Sequence, residues 1–379
     1  MRLFQLISLT WLIILPFSNK LLSQVKRIDL PTNLYAFSFQ EDSNKRVWLG
    51  LSDGNQFGQL GFFQNDSLTI ISGHDSLPAG SFHVTIKLPD ESFLFAGHVL
   101  DNFENSVIVW VHDQGADTIR IPFRLKIPLI NCLALVNNKE IWIGTANGLI
   151  INKRGDWSWL TTNDGLPSNF VSTIYQDFRG VVWIGTESGV VYFADNQIYT
   201  ISSGSKMISK ANLFFEDNKG YVWCGDRFTA EGVSVFNGEI WETFSGRNGL
   251  LDNSVSVFYQ DIDENIWVGS CYNRQRGGVS VFNGKTWEGF TSPEHLAKQC
   301  VDAIISDSKG RIWLGGSLSN SKNKGITVFD NDGWIKIRNS SELPAERVIT
   351  FFLDSERNVW ISSFEGLYVV GKDFTIKNE

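Results

Sequence analysis

Cysteine, histidine and long runs of basic residues are all scarce in this sequence, and each scarcity excludes a class of protein. Four cysteines in 379 residues, with no CxxC pair, exclude a fold that rests on a disulfide framework. The five histidines include no HxH or HExxH spacing, which excludes these common zinc-binding patterns. The formal net charge is −8 and no basic run occurs, so neither nucleic acid nor an anionic membrane is an expected partner.

Long apolar runs are also absent after the first residues of the chain. Residues 1–23 combine a charged start at Arg2, an apolar stretch over residues 3–17, a helix-breaking Pro16 and the small residue Ser23. We predict that this segment is a cleaved signal peptide and that the rest of the chain, residues 24–379, is periplasmic or secreted, with no membrane span after cleavage. An uncleaved N-terminal anchor is the alternative, although about 15 apolar residues are few for a membrane span.

Aromatic residues, in contrast, are abundant and periodic. The chain has 14 Trp, and the element VVWIGT around Trp183 recurs with Trp, or in one copy Phe95, at its centre. The eight anchors stand at positions 48, 95, 142, 183, 223, 267, 313 and 360. This spacing is typical of propeller blades and is too long for a leucine-rich repeat. Large flat side chains at these positions are expected to fill the wedges between blades and to be core residues rather than a ligand cage.

Each repeat consists of short apolar runs separated by tight turns. Residues 169–193 contain three such runs, with turns at Gly180 and Gly189, and a fourth strand follows in most repeats. The pattern predicts an all-β fold: a single closed β-propeller of eight four-stranded blades, or seven if the divergent second repeat is displaced. Residues 25–30 and residues 373–377 compete for the outer strand of the last blade.

An aspartate closes strand one in five of the repeats and is usually followed by Gly or Asn three residues later. This spacing is typical of an Asx-turn, so we interpret these acids as structural. The five are Asp177, Asp217, Asp261, Asp307 and Asp354.

The combination of D-x-x-G, IWIGT and GLPSN resembles the two-component regulator propeller repeat. It stands here as DFRGVVWIGTESGVVYF and NDGLPSN, and in looser form in all eight repeats, over about residues 30–379. That family forms the extracytoplasmic sensor regions of hybrid histidine kinases. Since this sequence continues into no kinase, the resemblance implies recognition without attached catalysis.

In a propeller, the connections between strands two and three and between strands four and one emerge on one side, here called the loop face. The remaining connections form the opposite side, the turn face. Strand two–three connections are minimal in repeats three, four and eight but long in the next three, at residues 225–232, 269–278 and 315–325. A closed ring has no need of long loops, so we predict that these form a binding surface. Its candidate residues are Arg227, Phe228, Tyr272, Asn273, Arg274, Arg276, Asn320, Lys322 and Lys324.

This locally basic and aromatic surface predicts a recognition module for an oligosaccharide or an anionic ligand, because Arg can bind a carboxylate or sulfate in a bidentate fork. A scaffold that binds envelope proteins through the same face is a second hypothesis. A metal-dependent propeller lyase is a third, since His98 replaces the Thr of IWIGT and His83 opens the preceding strand on the same side. Without metal-ligand spacing, we expect no enzyme activity, metal or cofactor.

The cysteines allow two interpretations. Cys271 and Cys300 are expected on the loop face of neighbouring blades. In an oxidising compartment they either form a disulfide bond across 29 residues or remain two unpaired thiols. Cys132 and Cys224, each inside a predicted strand, are expected to be free and buried.

Overall fold

The computed structural model describes residues 25–54, 57–72, 77, 80–99, 106–119, 121–122, 129–195, 197–201, 207–272, 276–292, 294–297, 300–316, 325–330, 333–337, 343–344 and 347–375. The predicted signal peptide, residues 1–23, lies outside this part of the chain. The described strands form eight four-stranded antiparallel sheets, which confirms the eight-bladed propeller and excludes seven blades. The one helix described is a single 3-10 turn, Thr162–Asp164. No helix within the described ranges is long and apolar enough to span a bilayer.

The strands follow one another around the ring in chain order. After β1 (Val25–Ile28), blade 1 comprises β2 (Tyr35–Glu41), β3 (Val47–Ser52), β4 (Gly58–Gln64) and β5 (Ser67–Ile70). Blade 2 comprises β6 (Gly80–Lys87), β7 (Phe93–Val99), β8 (Ser106–His112) and β9 (Gly115–Ile119). Blade 3 comprises β10 (Ile130–Val136), β11 (Glu140–Thr145), β12 (Gly148–Lys153) and β13 (Asp156–Leu160). Blade 4 comprises β14 (Val171–Gln176), β15 (Val182–Thr186), β16 (Gly189–Ala194) and β17 (Gln197–Thr200).

The second half of the ring repeats the plan. Blade 5 comprises β18 (Leu213–Glu216), β19 (Val222–Gly225), β20 (Val233–Phe236) and β21 (Trp241–Phe244). Blade 6 comprises β22 (Val257–Gln260), β23 (Ile266–Tyr272), β24 (Arg276–Phe282) and β25 (Trp287–Phe290). Blade 7 comprises β26 (Ala303–Ser306), β27 (Ile312–Gly315), β28 (Ile326–Asp330) and β29 (Gly333–Ile337). Blade 8 comprises β30 (Val348–Leu353), β31 (Val359–Ser363) and β32 (Gly366–Val370), with β1 as its fourth strand.

The first strand of each blade contacts the first strands of both adjacent blades. These strands therefore form a closed inner ring, made of β2, β6, β10, β14, β18, β22, β26 and β30.

Ring closure uses the N-terminal strand. β1 pairs with β32 in a register that runs from Val25–Val370 to Ile28–Leu367, so residues 25–28 supply the outer strand of blade 8. The competing assignment of residues 373–377 to this strand is wrong. Phe374 is buried instead against Trp313, with ring centroids 6.2 Å apart.

The anchor residues of strand two fill the wedges between blades, as the sequence predicted. Trp183 is 3% exposed and contacts Phe236 and Trp241 of the next blade, with ring centroids 5.5 and 5.4 Å away. Phe95, in the Trp position of blade 2, is completely buried. The same Trp-to-Phe contact between successive blades joins Trp142 to Phe193, Trp223 to Phe282, Trp267 to Phe329 and Trp360 to Phe63. These aromatic residues are therefore core.

The long connection of blade 6 is shorter than predicted. The β23–β24 ladder continues through the pairs Ser270–Gly278, Cys271–Gly277 and Tyr272–Arg276. Residues 269–272 and 276–278 were thus wrongly predicted as loop, because the two strands keep their register to the end of the hairpin.

Candidate functional site

The turn face is built from one repeated arrangement. In blade 4 the Oδ1 atom of Asp177 accepts hydrogen bonds from the backbone N–H groups of Arg179 and Val181. Its Oδ2 atom accepts the indole N–H of Trp183 at 3.0 Å. The same bond across six residues joins Trp48 to Asp42, Trp223 to Asp217, Trp267 to Asp261, Trp313 to Asp307 and Trp360 to Asp354.

The structural interpretation of these aspartates is therefore confirmed, and their second function was missed. Each carboxylate closes its turn and also holds the indole that fills the wedge. In blade 1, burial acts to raise the pKa of Asp42, but hydrogen bonds from Trp48 and Arg46 hold it below its ordinary value. The six-residue Asp–Trp spacing was readable in the sequence.

On the loop face, the described part of the surface that the sequence predicted to bind a ligand centres on the β19–β20 connection of blade 5. Asp226 is 5% exposed and accepts the backbone N–H groups of Phe228 and Thr229, both at 2.7 Å. The backbone oxygen of Asp226 accepts the N–H of Val255 at 3.0 Å. Phe228 itself is 77% exposed. The buried Asp226 therefore fixes the backbone of this loop, while the Phe228 side chain faces solvent.

Arg227, one of the predicted ligand-binding residues, forms an ion pair within the protein. Its Nη2 atom lies 2.6 Å from Oδ1 of Asp302, a carboxylate with 8% side-chain exposure, while the Arg227 side chain is 34% exposed. Asp302 immediately precedes the first strand of blade 7, so this ion pair reaches past blade 6. The positive charge of Arg227 is therefore compensated within the protein, and the residue braces two blades.

A covalent link lies beside this ion pair. Cys271 of β23 and Cys300 form a disulfide bond, with their Cα atoms 4.5 Å apart. Both residues are buried, and Cys271 lies within a strand rather than at the start of a loop. Val301 donates its backbone N–H to the oxygen of Ser270 at 3.2 Å, so the same two segments are also hydrogen-bonded. Blade 6 is thereby attached to the segment that carries Asp302.

The remaining predicted ligand residues have no described side chains. Tyr272 and Arg276 are paired through their backbones at the end of the β23–β24 ladder. Asn273, Arg274, Asn320, Lys322 and Lys324 lie outside the described residues.

The unpaired cysteines behave as core residues. Cys132 and Cys224 form no disulfide, and Cys224 is buried as predicted while Cys132 is partly exposed. Burial raises the pKa of the Cys132 thiol to about 12 and also raises the pKa of Cys224, so neither is a reactive thiolate at neutral pH.

Two histidines of blade 2, His83 and His98, lie together at the loop face. The ring centroids of His83 and His98 are 4.7 Å apart, and Nδ1 of His98 lies 3.3 Å from the hydroxyl of Ser106. Burial, followed by the charge of His83, lowers the pKa of His98 to about 4. Burial also lowers the pKa of His83, against the effect of hydrogen bonds to the backbone oxygens of Ser81 and Ile130. Within the described residues, no group of three or more His, Cys, Asp or Glu side chains could hold a metal.

Known proteins match this chain in sequence and in fold. The family model described as two component regulator propeller matches residues 165–188 and 249–272, and each match ends at or just after strand two of a blade. Histidine kinase P4 from Formosa agariphila is 26% identical over 255 residues, which cover 62% of this chain and 18% of that protein. The chain therefore spans less than a fifth of the length of this relative.

Two solved structures share the propeller fold. The extracellular domain of a putative one component system from B. thetaiotaomicron is 16% identical, with a TM-score of 0.53, and the match covers 90% of this chain and 51% of that one. Catalytically inactive virginiamycin B lyase from Staphylococcus aureus, solved with quinupristin, is 11% identical, with a TM-score of 0.53 and coverage of 91% and 98%. At these identities the likeness shows the fold alone. The chain is thus an eight-bladed β-propeller that contains two-component regulator propeller repeats.

Proposed function

We propose that this chain is an exported, non-catalytic recognition module with a sensory role, which binds an oligosaccharide or an anionic ligand on the loop face of blades 5–7. The observation that carries the proposal is the presentation of Phe228. Its ring is 77% exposed, although hydrogen bonds to the buried carboxylate of Asp226 fix the loop beneath it. A flat aromatic group on a fixed loop loses little conformational entropy on binding, which favours recognition.

The charges around Phe228 favour an oligosaccharide over a strongly anionic ligand. Arg227 is the described cation nearest to this ring in sequence, and its guanidinium is bound to Asp302. A ligand carboxylate would have to compete with that intramolecular partner at 2.6 Å. Hydroxyl groups can instead share the ion pair, since Arg donates hydrogen bonds and Asp accepts them.

Export and the sensory role have separate supports. The charged start and short apolar stretch of residues 1–23 support export, which N-terminal sequencing of the mature protein tests directly. Sequence similarity to a histidine kinase supports a sensory role, transferred here as part of the proposal. A mature protein that still begins at Met1 would contradict cleavage and favour the anchored alternative.

The binding proposal is tested with a glycan array that includes neutral and sulfated oligosaccharides, followed by titration calorimetry of any hit. Phe228→Ala is expected to weaken binding at least tenfold, since truncation of a central aromatic contact commonly costs more than about 1.4 kcal/mol. Phe178→Ala is the matched control, because Phe178 is similarly exposed, at 73%, in a strand one–two turn on the turn face.

Equal loss with both variants, or no glycan binding at all, would contradict ligand binding at Phe228. Capture of an envelope protein that depends on Phe228 but not on Phe178 would then favour the scaffold hypothesis. A lyase activity that the substitution His98→Thr abolishes would favour the lyase hypothesis. The lyase outcome is not expected, because His98 is buried and ring nitrogens of His83 and His98 already contact Ser81 and Ser106 of the protein itself.

A further inference from the structure

The interface between blades 3 and 4 holds a cleft on the turn face, on the opposite side of the ring from Phe228. Its volume is about 190 Å³. Pockets for drug-sized ligands are usually roughly 300–1,000 Å³, so this cleft has room for a single small ring. Its polar and aromatic lining comes from Asn137, Glu140 and Lys153 of blade 3 and from Phe193 and Asp195 of blade 4.

The cleft lies where blade 3 departs from the repeated turn-face arrangement. Val136 occupies the position of the turn aspartate, six residues before Trp142. The indole N–H of Trp142 is bound instead by Oε2 of Glu140 at 3.1 Å. Nζ of Lys153 lies 3.6 Å from the same oxygen. In six other blades, the aspartate that binds the indole also closes the strand one–two turn. In blade 3 the indole is bound by Glu140 instead, and this residue lines the cleft.

The next interface shows what fills the equivalent space elsewhere. Phe236 of blade 5 occupies the strand-three position that Phe193 occupies in blade 4, since each pairs with the residue before the strand-two Trp. Arg179 places its guanidinium 5.0 Å from the centroid of Phe236. The corresponding residue of blade 3, four before the Trp, is the shorter Asn138, and the cleft lies against Phe193.

The chemistry of the lining selects the class of ligand. A cationic ligand is disfavoured because Nζ of Lys153, 5.7 Å from the centroid of Phe193, already occupies the cation–π position over that ring. Glu140 and Asp195 disfavour an anionic ligand by repulsion. What remains is an uncharged molecule with one apolar face for the Phe193 ring and with hydroxyl groups that can both accept from Lys153 and donate to the carboxylates. We propose that this cleft is a binding site for a single uncharged sugar residue.

This site is independent of the loop-face proposal, and saturation-transfer NMR tests it with a fixed set of probes. The probes are the methyl glycosides of glucose, galactose, mannose and xylose, with glucuronate as the anionic comparison and arginine methyl ester as the cationic one. At least one neutral glycoside is expected to bind with a dissociation constant on the order of 1 mM. Glucuronate and arginine methyl ester are expected to bind at least tenfold more weakly.

Variants assign the signal to the cleft. Lys153→Met keeps the side-chain length but removes the donor, and it is expected to weaken glycoside binding about tenfold. Lys139→Met is the matched control, because Lys139 is an exposed lysine of the adjacent turn that does not line the cleft. Ala194→Phe, which projects a ring into the cleft from blade 4, is expected to abolish binding. Circular dichroism and the urea midpoint establish that each variant is folded.

The absence of binding by every neutral glycoside would overturn the proposal, as would preferred binding of either charged probe. It would also fail if Ala194→Phe left binding intact, or if Lys139→Met weakened it as much as Lys153→Met. Phe228→Ala is expected to leave this binding unchanged, and a loss with that variant would assign the sugar to the loop face instead.

Discussion

The two faces of this propeller are built from the same strands but follow different rules. On the turn face, six blades repeat one hydrogen bond from a strand-two indole to an aspartate six residues earlier. On the loop face, the residue three after the anchor is of six different types among the eight blades. In chain order it is Leu51, His98, Thr145, Thr186, Asp226, Ser270, Gly316 and Ser363.

The turn-face pairs therefore stabilise the ring itself, whereas the loop-face residues form the surface that the ring presents. Wherever the Asp–Trp pair recurs, its atoms are used by neighbouring parts of the same blade, so the pair maintains the wedge between blades. On the loop face, blades 3, 4 and 8 share one bond, from the hydroxyl three residues after the anchor to the backbone oxygen of the hairpin glycine. Blades 5–7 have contacts of their own, such as the Arg227–Asp302 ion pair and the Cys271–Cys300 disulfide. Four changes, taken from the largest expected effect to the smallest, test whether the two faces differ in this way.

Removal of one anchor tests the turn face first. Trp183→Ala is expected to lower the free energy of unfolding by roughly 3–5 kcal/mol, because the cavity left between two rigid blades cannot collapse. Urea denaturation measures the change. The control is Phe178→Ala, an exposed aromatic of the same blade that should cost less than about 0.5 kcal/mol. Similar losses in both variants would mean that the anchors are not what holds the blades together.

The covalent link tests the loop face. Loss of the Cys271–Cys300 bond, by Cys271→Ser together with Cys300→Ser, is expected to cost roughly 3–4 kcal/mol, because the unfolded chain regains the entropy of a loop spanning 29 residues. Thiol counting on the unfolded, unreduced protein decides whether the bond is present in solution. Two free thiols, those of Cys132 and Cys224, are expected, and four would exclude the bond.

The histidine pair on the loop face predicts a pH dependence of stability. The folded pKa of His98, about 4, lies below its ordinary value of 6.5, so the neutral form is the one compatible with folding. Stability is therefore complete above pH 6.5 and falls as the pH drops towards 4, by up to about 3 kcal/mol. His98→Thr should flatten most of this slope in urea denaturation. A slope that survives the substitution would have to be assigned to other groups.

The smallest effect is expected from the ion pair across the loop face. A double-mutant cycle with Arg227→Met and Asp302→Asn should give a coupling energy of about 1 kcal/mol, because the Arg227 side chain is one-third exposed and the pair is screened by solvent. The coupling should decrease in high salt. A value near zero would mean that the pair does not brace blades 5 and 7.

Sequence periodicity predicted the architecture well because every blade repeats the same local pattern. The spacing of Trp anchors predicted eight blades, and residues 25–30 were one of two candidates for the closing strand. Nothing local indicated that Arg227 would meet Asp302, since the two residues lie 75 positions apart in non-adjacent blades. The cleft was not predicted for a related reason, since residues of two different blades form it. Val136 replaces the turn aspartate in blade 3, and Phe193 of blade 4 lines the same space.

Closure by β1 also determines how the ring would respond to a mechanical load. The ladder that seals blade 8 pairs Val25 with Val370, so the first residue of β1 and the last residue of β32 lie side by side at the same end of that ladder. Opposed forces on these two residues would therefore break the backbone hydrogen bonds one pair at a time rather than all together. The ring would open at this seam, at low force, while the other seven blades each keep all four of their strands.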